Sequence, residues 1–531
     1  MESPLRIDYV SPLPPVRSGI ADYSVDLLPW LEPLCDLRVV RLPSQPVAPE
    51  VEERWSLVEF DRAGEEGRIP LYHVGNNKYH IDVWRLANRL PGVLTLHDIV
   101  LHHLLVELTL GEGDLEAYSE RLVEDHGWVG EMVAKARRWT ELGQTAIFEL
   151  PAHRALLRKQ RGVLVHSEWA ATRLLEENPD LAVRAVPMGV PMPETPDPEA
   201  SRQWRAKAGI PEGSPLLGSF GFQTPIKRTD RVIAALARSE MSEVHLVIGG
   251  EVSQGLELEP LAQQLGVADR VHMLGFLPFD EFETAIGACD LCLNLRYPTA
   301  GETSASLLRV LALGRPVIVS DYAQFAELPD PVAVKVSLGD GEVESLAGEV
   351  SRLLAEPGKL AAMERASREY VEQNHSPAKA ASAVVEACGE LAELEPLGEQ
   401  PAEMPPPTTL TWRELPGELE VEGAELPWPP GESRELAIRL ENTGRARWLS
   451  AQHESGGVMV DIQWRRERAA PPGQREWLEL PRDLAAGESL TLKRRVRRPL
   501  EDSGLLIVEP HVREICGFGA IGGPSYVLEI E

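Results

Sequence analysis

The stretch LCLNLRYPTAGETSASLLRVLALGRPVIVSD, residues 291–321, reads as strand, loop, helix and strand. LCLNL is a short apolar run, Thr303 or Ser304 offers a side-chain oxygen to cap a helix, Gly314 closes that helix, and Pro316 stops its continuation. The loop 296–303 therefore sits at the carboxyl end of a parallel strand and at a helix N-terminus. Ligands bind there in open α/β sheets, and the unpaired N–H groups favour phosphate. Upstream, GSFGFQTPIKRTDRVIAALA (218–237) repeats the pattern and puts Lys227 on the same rim. A lysine there can neutralise charge developing on a departing diphosphate.

Working outward, short apolar runs alternate with helical patterns from residue 5 to about 337, the signature of βαβ units and parallel sheets. LRIDYV, LRVVRL, LYHVG, VLTLH and GVLVHS predict a first Rossmann-like α/β domain over 1–192. LLGSFGF, VHLVIGG, VHMLGF, LCLNL and PVIVSD predict a second, which with the helical sequence after 344 spans 193–394. A proline-rich linker, 395–409, follows. Beyond it RELAIRLENTG, GVMVDIQWR, ESLTLKRRVRR, LLIVEPHV and YVLEIE alternate with period two, so 410–531 is expected to be an all-β sandwich.

Composition narrows the function. The 53 Lys+Arg against 83 Asp+Glu give a net charge of −30, which repels phosphate backbones and argues against a nucleic-acid partner. A local basic patch still leaves peripheral membrane contact open, because attraction to anionic lipid acts at short range. No basic, then apolar leader opens the chain and no run approaches a membrane span, so a cytoplasmic location is expected. Five scattered cysteines suggest reduced thiols; Cys289 and Cys292 form a CxxC without a second pair or a nearby histidine, so burial is the expected role.

These segments resemble a known family. GSFGFQTPIK, VHLVIGG, VHMLGFLPFDEFETAIGACDLCLNL and TAGETSASLLRVLALGRPVIVSD are similar, in order, to the donor half of retaining GT-B glycosyltransferases of family 4. SPLPPVRSGIADYSVDLLPWL, HVGNN, LTLHDIVLHHL, VLVHSEWAATRLL and VPMGVPM extend the resemblance over roughly 5–390. It implies two Rossmann-like halves facing a cleft, a UDP- or GDP-sugar donor on the second and a glycan or lipid-linked acceptor on the first, with no bound cofactor or metal. The acceptor hydroxyl would attack from the face that the diphosphate leaves, without a side-chain nucleophile. Carried over residue by residue, the catalytic candidates are His97, Asp98, Lys227 and Glu302; Gly19, Gly250, Gly275, Phe276, Thr303 and Ser304 join Lys227 and Glu302 around the donor. His73, Asn76 and Asn77, with His80, are acceptor candidates. The family's Arg five residues before the lysine is Phe222 here, and its two glutamates fall on Gly301 and Arg309, with Glu302 one residue off register. The C-terminal strands resemble immunoglobulin-like accessory modules, and the whole suggests surface-polysaccharide or glycolipid assembly.

Plainer readings stand beside these. Lys227 could be a solvated lysine, Glu302 a helix-end acid, Arg309 the partner of an acidic residue, and His102 and His103 satisfied structural histidines; the His97, His102 and His103 spacing is not a zinc set. Trp448, Trp464 and Trp477 are expected in the sandwich core rather than on a sugar-stacking platform. Lys493–Arg498, with Arg445, Arg447, Arg465 and Arg466, form a basic cluster that either holds an anionic glycan or lipid phosphate or is a solvated surface. Alternatives to the transferase are a non-catalytic sugar-nucleotide or glycan-binding scaffold and a GT-B phosphorylase or epimerase.

Overall fold

The computed structural model describes residues 4–137, 144–195, 197–398, 408–409, 415–444, 446–451, 453, 456–467, 473–500, 504–513, 516–521 and 523–530. Most of the expected linker, together with Arg445, lies outside them. Contacts divide the chain into two compact units: residues 1–104 with 156–399, and residues 105–155 with 400–531.

The first unit holds two parallel sheets. β1 (Arg6–Val10), β2 (Asp36–Arg41), β3 (Leu57–Glu59), β4 (Ile69–Val74), β5 (Val93–Leu96), β6 (Gly162–Val165) and β7 (Val183–Ala185) run β3-β2-β1-β4-β5-β6-β7. β8 (Leu216–Phe220), β9 (His245–Gly249), β10 (Val271–Gly275), β11 (Leu291–Asn294), β12 (Val317–Ser320) and β13 (Ala333–Val336) run β10-β9-β8-β11-β12-β13. Most of these strands are buried along their length, as expected of strands covered by helices on both faces. In each sheet the order reverses beside the first strand, between β1 and β4 and between β8 and β11. Crevices at such switch points are where α/β sheets bind ligands.

The helix Pro377–Ala392, although last in sequence, packs on the first sheet: a Cβ on Gly162 of β6 would lie 2.5 Å from Leu391. Its Ala380, Val384 and Cys388 share one apolar core with Leu28 of the first domain and Leu308 of the second. Cys289 and Cys292 are buried free thiols, as are Cys35 and Cys388.

In the second unit β14 (Gly417–Glu422), β15 (Ser433–Asn442), β16 (Val458–Arg465), β17 (Gln474–Glu479), β18 (Ser489–Arg497), β19 (Leu505–Val512), β20 (Cys516–Gly517) and β21 (Tyr526–Glu529) form two antiparallel sheets. One is β14-β15-β18 and the other β17-β16-β19-β20, with β21 also on β19. Period-two alternation sends Leu436, Ile438 and Leu440 from one sheet, and Val460, Ile462 and Val508 from the other, into a single core around Trp428, Trp448 and Trp464. Met132, from the stretch 105–155 that the sequence had assigned to the first α/β domain, packs against the same core.

Trp477 departs from expectation. It is 37% exposed, because its register opposite Asp461 puts it on the outer face, where Arg475 lies 4.1 Å over the ring. The basic cluster is largely spent on neighbours: Arg494 pairs with Glu476 at 2.9 Å, Lys493 with Glu435 at 3.8 Å, and buried Arg498 donates to the Trp428 carbonyl. Among the described residues no helix is long and apolar enough to cross a membrane.

Candidate active site

At the second switch point β8 ends at Phe220 and the chain turns through Gly221, whose φ of 95° suits glycine, towards Lys227. Lys227 is 8% exposed and its Nζ donates to the Phe220 carbonyl at 2.5 Å. Among the described residues it has no carboxylate partner within ion-pair distance. Burial, then the neighbouring Arg296 charge, hold its pKa well below the usual lysine value, against the pull of Glu302. A Cβ on Gly221 would stand 2.6 Å from Lys227 Nζ and 3.6 Å from Ser306 Oγ, so the lysine lies beside the first turn of the helix Ala305–Ala312. Ser304 caps that helix, accepting from Leu307 N at 3.2 Å.

The adjoining loop is organised by Glu302. Its carboxylate accepts from Arg296 Nε at 3.2 Å, Thr299 Oγ1 at 2.9 Å and Ala300 N at 3.0 Å. Arg296 is buried, with its pKa lowered by desolvation despite Glu302, and Nη1 donates to the Leu295 carbonyl at 2.8 Å. Asn294 Nδ2 is buried with no partner. Sequence reasoning missed both residues; the signal was a polar residue inside the apolar strand and a charged one just past its end. Gly301 has φ 79° and abuts Ile99, where a Cβ would come within 2.4 Å of Cγ1. Its glycine character is therefore required by packing.

Other donor candidates scatter along the same edge. Gly250 N donates to the Gly275 carbonyl at 2.7 Å, and a Cβ on Gly250 would sit 2.2 Å from the Gly221 carbonyl oxygen. Phe276 and Phe222 are exposed, with the Arg17 guanidinium 5.2 Å from the Phe276 ring centre. Thr303 Oγ1 donates to the His166 carbonyl at 3.3 Å. Arg309 pairs with Asp26 at 2.8 Å and lies 4.5 Å over Phe279, which matches the plainer reading of that residue.

The first switch point is different in kind. Gly19 opens the helix Gly19–Leu31 behind the cap Ser18, and a Cβ there would meet nothing within 4 Å. His73 Nδ1 and His97 Nε2 share a hydrogen bond of 3.0 Å, and the His97 ring centre lies 5.0 Å from that of His166, tilted, and 5.1 Å from that of Tyr23, edge-to-face. His73 Nε2, His97 Nδ1, His166 Nε2 and Tyr23 Oη are buried without partners. Burial, then neighbouring imidazoles, hold His73 and His97 well below the usual histidine pKa; burial holds His80 and His166 at about 4. These rings are neutral at pH 7. Tyr23 and His166 were not singled out from sequence.

Asp98, next in the chain, is pushed up to about 7 by burial and by Glu302, and accepts from Asn76 N at 2.7 Å. Asn76 and Asn77 hold their own loop: Asn76 Oδ1 accepts from Leu104 N at 3.0 Å and Asn77 Oδ1 from Tyr79 N at 3.0 Å. The two α/β domains meet where Ile99 N and Val100 N donate to the Ala300 carbonyl at 2.7 and 3.1 Å. No group of three or more His, Cys, Asp or Glu among the described residues could hold a metal ion.

Two Rossmann-like domains with matching switch points define the GT-B type of fold. Sucrose-phosphate synthase from Thermosynechococcus elongatus superposes on 73% of this chain and 98% of its own, with a TM-score of 0.52 and 18% identity. Anabaena HepE, solved with UDP and glucose, superposes on 73% and 100%, with a TM-score of 0.50 and 16% identity. Residues 200–370, within the second domain, match the family model Glycosyl transferases group 1. The 2-deoxystreptamine glucosyltransferase of Streptomyces kanamyceticus is 27% identical over 227 residues, 40% of this chain and 57% of that protein. The D-inositol 3-phosphate glycosyltransferase of Stackebrandtia nassauensis is 30% identical over 159 residues, 28% of this chain and 35% of that protein. The chain thus spans between about a third and three-fifths of the length of these relatives.

Proposed function

We propose that the chain is a retaining family 4 glycosyltransferase that moves a sugar from a UDP- or GDP-sugar to a glycan or lipid-linked acceptor. The observation that carries this reading is Lys227: a buried lysine whose Nζ has only a carbonyl for partner, beside a helix N-terminus at a switch point. Burying a cation without a counter-ion is costly, and a bound diphosphate removes that cost while restoring the lysine's charge. The same contact then stabilises the nucleoside diphosphate as the glycosidic bond to it breaks. Gly19, open above its Cα, lets backbone N–H groups of the first domain approach the same phosphates. The neutral, histidine-lined crevice beside His97 suits hydroxyl groups, so His97 and Asp98 face the transferred sugar and the acceptor.

On this reading residues 1–192 hold the acceptor and 193–394 the donor, and 410–531 is an immunoglobulin-like module that positions the acceptor at the inner face of the membrane. The test is incubation with a panel of UDP-, GDP- and ADP-sugars, with and without acceptor extract, following released nucleoside diphosphate. Acceptor-dependent release supports transfer. Binding without release favours the scaffold reading, to which Arg309, spent on Asp26, lends support; absence of both contradicts the proposal.

A further inference from the structure

We propose that Arg296 is the second cation of the diphosphate site and that Glu302 serves it as a positioning residue. This rests on the donor-site reading above. Arg296 follows β11 by two residues and is 5% exposed, yet only two of its guanidinium nitrogens are engaged: Nε with Glu302 and Nη1 with the Leu295 carbonyl. Nη2 donates to no described residue. Glu302 has both oxygens occupied inside the loop, Oε1 by Arg296 and Oε2 by Thr299 and Ala300. A carboxylate so engaged fixes a guanidinium and is poorly free to orient a sugar.

Most free valences around this loop are donors; the exception is the Gln324 Oε1 acceptor, which is buried without a partner. Lys227 Nζ has one carbonyl partner, Asn294 Nδ2 has none, Arg296 Nη2 has none among the described residues, and the helix Ala305–Ala312 presents its first N–H groups. Gln324, the remaining polar neighbour, spends its Nε2 on Thr299 Oγ1 and the Glu302 carbonyl at 2.8 and 2.7 Å. Arg296 and Lys227, both buried, face the single carboxylate of Glu302, and Asp98 beyond it is only partly ionised at neutral pH. The complement of such a set is an anion with several acceptor oxygens. Phe222, five residues before Lys227, is exposed and supplies no charge, so the second cation comes from the loop after β11 instead.

The test is calorimetric titration of the full chain with UDP, UMP, GDP and GMP. The wild type is expected to bind the diphosphate of one base more tightly than its monophosphate. Arg296→Gln should lower diphosphate affinity tenfold to a hundredfold, roughly one charge-assisted hydrogen bond, and leave monophosphate affinity within about threefold. Glu302→Gln should lower it less, and should add nothing in the Arg296→Gln background. If Arg296→Gln does not fold, Arg296→Lys keeps the charge and loses the fork, and the same selective loss is expected. Diphosphate binding as tight as wild type in a folded Arg296 variant overturns the inference while leaving the donor site standing. A wild type that binds none of the four overturns the donor-site reading itself.

Discussion

At the first switch point histidines and a tyrosine cluster beside Asp98; at the second a lysine and an arginine lie beside Glu302. Both crevices lie beside the first strand of a sheet, the two sheets share one order through their first six strands, and both crevices have a serine-capped helix, Ser18 in one and Ser304 in the other. The backbone therefore offers the same anion-binding geometry twice. Burial lowers the pKa of His73, His97 and His166 and that of Lys227 alike; what differs is that Arg296 and the adjacent helix end leave a positive site around Lys227. One fold repeated thus yields a neutral crevice suited to hydroxyls and a cationic one suited to phosphate.

The largest expected effect that sharpens this contrast is acid destabilisation of the first domain. His80 and His166 titrate near 4 when folded and near 6.5 when unfolded, so the unfolded chain binds more protons between those values and stability falls as pH drops through that window. Each contributes about 1.4 kcal/mol per pH unit there. His73 and His97 act in the same direction, while Asp98, raised to about 7, opposes by one proton because its folded form is the more protonated. Unfolding free energies from urea titrations between pH 7.5 and 5 should fall by about 1.4 kcal/mol per unit or more below pH 6. A flat profile would mean that the histidines are charged or solvated, and the contrast would fail.

Next in size is Lys227→Ala, expected to weaken nucleoside-diphosphate binding and lower turnover by roughly two to three decades, the scale of one transition-state donor. His97→Ala should leave nucleotide affinity unchanged while lowering kcat. Equal loss of nucleotide binding in both variants would erase the distinction between the crevices.

Much of this arrangement could be read from the sequence. The runs that became β1, β4, β5, β8 and β11 are apolar, bounded by turns, and long enough to carry the period. β3, β7 and β13 escaped because LVE, VRA and AVKV are three or four residues long and interrupted by charge. Lys227 was legible because a strand end and a helix start bracket it. The Arg309–Asp26 pair was not, since 283 residues separate partners that only the folded domains bring together. The same holds for Arg296 and Glu302, whose chemistry depends on which way a loop turns, and for residues 105–155, whose pattern is helical wherever they pack. Trp477 was misjudged because a tryptophan in a strand does not reveal which face of the sheet it occupies.

Smaller effects refine the comparison. Asp26→Asn should cost on the order of 2 kcal/mol, a charged hydrogen bond between partly buried groups, in a thermal melt of the full chain. Ser18→Ala and Ser304→Ala remove matched caps and should each cost about 1 kcal/mol. At a matching stability loss the Ser304 variant should lose more diphosphate affinity than the Ser18 variant; an equal loss in both would put the two helix ends on equal terms at the anion.

The most direct measurement is a crystal structure with UDP or GDP, whichever binds. The account predicts diphosphate oxygens within about 3 Å of Lys227 Nζ, with that nitrogen drawn off the Phe220 carbonyl. A diphosphate seated among His73, His97 and His166, with Lys227 still bonded to Phe220, would contradict it.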